Sequence, residues 1–170
     1  ATDLPTWQGY LRADGSAATR NEIWILPSVG CVGITAEEIA RAARERHAGR
    51  IDGVHAFAHP HGCSQLGDDL AGTRDLLAGL ATNPNAAGVL LLGLGCESNQ
   101  LDALLEAVPP AARGKVRVLS SQSAGDELAA AATLIDDLVD TGTTARVSLP
   151  IVAKTGTANA AAGGFRLSNT

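Results

Sequence analysis

Four apolar runs, Ile23–Val29, Gly53–Ala58, Ala87–Leu94 and Val116–Leu119, are each followed by a Gly- or Ser-bearing turn. A segment with apolar residues every three or four positions comes next in each case. The alternation predicts strand, turn and helix four times over. The first helix opens on Thr35-Ala-Glu-Glu38, which reads as a capping box. It carries Ile39, Ala42, Ala43 and Arg46 at helical spacing before His47 and Gly49 end it. The second is expected over about 66–80, with Leu66, Leu70, Leu76, Leu77 and Leu80 on one face and Asn83-Pro84-Asn85 as its stop. The third runs from about Ser98, an adequate N-cap, to Val108, and Pro109-Pro110 closes it. The fourth spans about 125–139, with Leu128, Ala131, Ala132, Ile135 and Leu138 in register and Thr141-Gly142 at its end.

Strands alternating with helices of this length imply right-handed crossovers and a parallel sheet. The expected fold is α/β: an open, mainly parallel sheet of four or five strands with helices on both faces, Rossmann-like and three-layered. Ala87–Leu94 is apolar throughout, as a central strand buried on both sides should be. Residues 1–22 read as an N-terminal arm and 23–140 as the α/β domain. Residues 141–170 read as a tail that is either disordered or holds a short extra strand near Arg146–Ala153.

Composition narrows the function classes. The chain has 170 residues, 45% of them hydrophobic and 18% charged, enough apolar material for one buried core. A formal net charge of −5 with no basic run argues against a nucleic-acid grip. The longest apolar stretch, Ala86–Cys96, is about half of what a membrane span requires. The first residues lack the pattern of a signal peptide, so a cytoplasmic home is expected. With no Met at its start, the chain reads as a processed form or a piece of something longer. Three cysteines without a close pair fit a reducing compartment better than a disulfide framework.

Ligands of open parallel sheets collect at the carboxyl ends of the strands. The turns there repeat Gly30-Cys31, Gly62-Cys63 and Gly95-Cys96, with the cysteines 32 and 33 residues apart. Either these are small residues in tight turns, or they are reactive thiols or metal ligands gathered at one edge. The second turn adds His59 and His61, both able to serve as ligand or base. His55 reads as core and His47 as a helix-end residue on the last carbonyls. The third turn adds Glu97, Ser98 and Asn99, and Asp68 and Asp69 read as first-turn dipole partners. Arg12 and Arg20 are either a bidentate fork for a carboxylate substrate or surface salt bridges. Gly93-Leu-Gly95 begins like a dinucleotide fingerprint, but Ser98 stands in its third place and no acidic residue ends the next strand.

The segments GYLRADGSAATRN, HPHGCSQLGDD and NAAGVLLLGLGCESNQ, and the Ser-Gln pair before the fourth helix, resemble the altronate/galactarate dehydratase family in that order. That family also includes a sulfolactate sulfo-lyase subunit, and the resemblance covers about residues 7–140. It implies a hydro-lyase domain that removes water from a hexonate or hexarate to give a 2-keto-3-deoxy acid, with Fe2+ as cofactor. Mn2+ or an iron–sulfur cluster are alternatives. Thr19, Arg20, Asn21, His59, Gly62, Cys63, Cys96, Glu97 and Asn99 match the family's motifs. Together with the residues' own chemistry this makes His59, His61 and Glu97 the catalytic candidates. Arg12, Thr19, Arg20, Asn21, Asn99 and Gln122 are the substrate-binding candidates, and Cys31, Cys63 and Cys96 the metal ligands. Cys63 and Cys96 are expected on adjacent strands. Ser16, Ala18 and Glu22 depart from the family's first motif, and its Cys-Gly-Gly-Ser-Asp motif is absent. The chain then resembles a middle domain that needs a C-terminal catalytic region or a partner subunit, and whether it forms a homo-oligomer is left open by the sequence. The alternative is a non-catalytic α/β module binding an anion or a partner.

Overall fold

The computed structural model describes residues 5–151. In chain order its elements are β1 (Thr6–Leu11), β2 (Ala17–Ala18), β3 (Glu22–Pro27), α1 (Gly33–Arg46), β4 (Gly53–Ala56) and α2 (Gly67–Ala81). There follow β5 (Ala86–Gly93), α3 (Leu101–Ala107), α4 (Pro110–Arg113), β6 (Val116–Ser120), α5 (Glu127–Gly142) and β7 (Val147–Pro150).

Strands β4, β3, β5 and β6, in that spatial order, form a fully parallel four-stranded sheet. Period-two alternation divides its side chains between two cores. Ile23, Ile25, Leu90 and Leu92 pack with Ala36, Ile39 and Ala40 of α1 and Ile135 and Leu138 of α5. Trp24, Leu26, Val89 and Leu91 pack on the opposite face with Leu77 and Ala81 of α2 and Leu104 of α3. The three-layer expectation therefore holds, and β5 is buried at all of its positions. Among the described residues no helix is long and apolar enough to cross a membrane.

A second sheet, β2-β1-β7, is antiparallel and pairs the arm with the segment after α5. The extra strand expected in the tail is β7, with Thr6 opposite Pro150 and Gly9 opposite Val147. The rest of the tail lies outside the described residues.

Several local expectations are corrected. Thr35 does not cap α1, which starts two residues earlier out of a 3-10 turn at Gly30–Val32 and has no side-chain cap. Its hydroxyl lies 3.4 Å from Glu127 of α5 instead. Nor does Ser98 cap a helix, since α3 begins at Leu101 after Gln100. Pro109 does stop α3, since Val108 before it is extended, and Pro110 then starts α4, where its missing N–H costs nothing. Leu66 and Leu76 are exposed, because α2 turns only the stripe of Leu77, Ala78 and Ala81 to the sheet. His55 is exposed rather than core, because β4 is the edge strand. The His47 ring is buried, and it faces Asp136 of α5 at 3.0 Å rather than the carbonyls of its own helix.

Candidate functional site at the switch point of the sheet

From β3 the chain crosses to β4 on one side, and from β5 it crosses to β6 on the other. The loops after β3 and β5 therefore diverge and leave a crevice above two adjacent strands, where ligands of such sheets bind. Cys31 stands in one loop and Cys96 in the other. Cys63 follows the edge strand β4, with β3 between it and β5, so the adjacency expected for Cys63 and Cys96 does not hold. A crossover that skips a strand leaves no trace in the sequence.

The crevice has a buried polar floor. Ser28, fully buried at the end of β3, donates to Glu97 Oε1 at 2.5 Å. Glu97 also accepts from the amides of Leu94 at 3.2 Å and Gly95 at 2.6 Å. Burial would raise its pKa, but the bonds from Ser28 and these amides outweigh it and hold the carboxyl below its usual range. Gly95 makes this wrap with φ +129°, a conformation open mainly to glycine. The Gly93-Leu-Gly95 turn thus encloses a carboxylate of its own chain. Asn99, also fully buried, donates to the Ser28 carbonyl at 3.4 Å and accepts from Arg74 Nε at 3.1 Å.

The loop after β4 leans on the same floor. The Gly30 amide donates to the His61 carbonyl at 2.8 Å. Gly62 has φ +100° and lies so close to the β3 loop that a Cβ would stand 2.8 Å from Val29 Cα. His59 Nε2 lies 2.8 Å from the Pro27 carbonyl, which only accepts, so this nitrogen carries the hydrogen. Its Nδ1 then accepts from the His61 amide at 3.2 Å. Both ring nitrogens of His59 are engaged. The exposed His61 ring stacks 5.9 Å away with no such tie, over an apolar groove of about 300 Å³ lined by Phe57, Thr73, Leu76 and Leu80. Gln122, after β6, donates its backbone N–H to the Leu94 carbonyl, and its side-chain Nε2 lies 3.8 Å from Cys96 Sγ.

Arg12, Thr19, Arg20 and Asn21 are placed elsewhere. They lie at the amino ends of the strands, separated from the crevice by the length of β3, about 20 Å at about 3.3 Å per residue. There Arg12 donates to Pro84 O, Asn21 Oδ1 and Arg20 O at 2.7, 2.7 and 3.0 Å. Asn85 Oδ1 accepts from the amides of Thr19 and Arg20. Arg20 also pairs with Glu22, and the Asn21 amide bonds Asp52. One small substrate cannot touch both ends of the sheet. Sequence reasoning passed over Ser28 and Arg74; the one signal for Ser28 is a hydroxyl closing an apolar strand.

All three thiols are exposed and free. Among the described residues, no group of three or more His, Cys, Asp or Glu side chains could hold a metal ion. These residues alone therefore do not fit a complete iron centre.

The model of "D-galactarate dehydratase/Altronate hydrolase, second domain" matches residues 9–142. The altronate dehydratase of Bacillus subtilis is 43% identical over 135 residues, covering 78% of this chain and 27% of that protein. The altronate dehydratase of Escherichia coli is 45% identical over 125 residues, 72% of this chain and 25% of its own. The beta subunit of (2R)-sulfolactate sulfo-lyase from Chromohalobacter salexigens is 36% identical over 89 residues, 52% of this chain and 21% of its own. No solved structure matches. The chain spans about a quarter of the length of the altronate dehydratases it resembles. By the extent of the match and its level of identity, the chain belongs to the D-galactarate dehydratase/altronate hydrolase family, as its second domain.

Proposed function

We propose that this chain is the α/β domain of a cytoplasmic sugar-acid dehydratase that converts an altronate- or galactarate-type acid into a 2-keto-3-deoxy acid. The observation that carries the reading is the buried floor of Ser28, Glu97 and Asn99 at the switch point, between the loops that hold Cys31 and Cys96 and hydrogen-bonded to the loop that holds His59, His61 and Cys63, in a chain of this family. Dehydration requires a base for the proton beside the carboxylate and a group that helps the β-hydroxyl leave. Within this reading His61 is the base, since its ring is exposed and untied, whereas both nitrogens of His59 are engaged. Glu97, held as a carboxylate by three donors, orients the loop that carries Cys96. Iron, which the resemblance implies, would need ligands from outside the described residues to complete a set with any of the cysteines. The other regions of the longer protein, or a partner subunit, would close the crevice. The test is keto-acid formation from altronate and galactarate, by this chain and by the natural protein that carries it. Turnover by the latter, lost in His61→Asn, is expected; no turnover with either acid would leave the alternative of a non-catalytic anion-binding module.

A further inference from the structure

Among the described arginines and lysine, Arg74 is the one whose hydrogen bonding reaches the crevice loops. Its Nε donates to Asn99 Oδ1 at 3.1 Å, and Asn99 is fully buried and tied to the Ser28 carbonyl. Arg74 is half-buried, no described carboxylate pairs with it, and neither Nη atom has an acceptor among the described residues. A guanidinium steered through Nε keeps its two Nη groups as a fork of the kind that grips carboxylates. Its neighbour Thr73 lines the groove beneath His61, and successive helix residues diverge by about 100°. Arg74 thus follows a residue of that groove along α2 and reaches the loop after β5 through its Nε. Two residues beyond Ser28 the 3-10 turn leads into α1, whose first turn has neither a side-chain cap nor an acidic residue. The nearest carboxylate of the floor, Glu97, has its oxygens committed to Ser28 and two amides.

We propose that Arg74, oriented by Asn99, receives the carboxylate of the hydroxy-acid substrate at the mouth of the switch-point crevice. The proposal rests on the dehydratase reading for the identity of the acid, but not for the binding itself. Calorimetric titration of the natural protein with D-altronate, D-galactarate and the neutral galactitol tests it. The acids should bind and galactitol should not. Arg74→Gln should weaken acid binding about tenfold to a hundredfold, the range for loss of a charged hydrogen-bonded pair. Arg74→Lys, which retains the charge but not the fork, should fall between, and unchanged thermal unfolding of both variants would show that the fold is intact. Unaltered affinity in Arg74→Gln, equal binding of galactitol, or no binding of either acid by the unsubstituted protein would overturn the proposal. Acid binding that depends on Arg74 without keto-acid formation would sustain it while the dehydratase reading fails. Turnover with an unchanged KM in Arg74→Gln would do the reverse.

Discussion

Replacing Glu97 by Gln sets an amide group where one carboxylate oxygen now accepts from Gly95 or from Ser28 and Leu94. At least one buried donor then loses its acceptor, and Glu97→Gln should cost about 2 kcal/mol or more in chemical unfolding. The pH dependence has a definite sign. A carboxyl whose folded pKa lies below its unfolded value adds stability that is present above the unfolded value, near 4.5, and fades as pH falls through the lower folded value. The gap between the unsubstituted chain and Glu97→Gln should therefore be full at pH 6 and shrink below pH 4.5. Lys115 has its pKa lowered as well, so its slope has the same sign at higher pH, although here burial of the charged form is the cause. It is largely buried against the carbonyls of Asn83 and Ala86, and burial lowers its pKa from 10.5 to about 8. Between those values the unfolded chain holds more protons, so this residue's contribution to stability rises from pH 8 to 10.5, by up to about 3 kcal/mol. Denaturation of Lys115→Met over the same range should lack that rise.

Helix ends tell apart what a motif suggests and what a backbone uses. Asp126 caps α5 by accepting from the Ala129 amide at 2.9 Å, so Asp126→Ala should lower stability by about 1 kcal/mol. Thr35→Ala should change it by no more than a few tenths, because Thr35 sits inside α1 and caps nothing. Equal losses in the two variants would restore the capping-box reading. At the loop after β4, Gly62→Ala meets both a positive φ and the backbone of the loop after β3, and should cost more than about 1 kcal/mol. The elements themselves were legible where periodicity is strong. The four parallel strands and the helices α1, α2 and α5 follow from runs and stripes that burial in two cores imposes. Their boundaries shifted because a helix can start on a 3-10 turn or a proline without any capping side chain.

For the molecule as a whole, the three exposed thiols make a simple check on the arrangement of the loops. The native chain should react rapidly with a disulfide reagent at three equivalents, because none of Cys31, Cys63 and Cys96 is buried or paired. A count below three without denaturant would mean that a thiol is covered. The α/β class, the two-sided burial of β5, the carboxyl edge as the place of the cysteines and the family motifs were all determined by the sequence alone. They rest on local patterns: alternation, turn residues, and short segments that keep their order. Only the tertiary structure decided that β3 lies between β4 and β5, that Ser28 meets Glu97 and Arg74 meets Asn99 at the crevice, and that Asn85 holds Thr19 and Arg20, and Pro84 holds Arg12, at the opposite end of the sheet. Each of these depends on which strands become neighbours and on partners 25 to 72 positions away, and pairwise contacts at such separations carry no periodic signal along the chain.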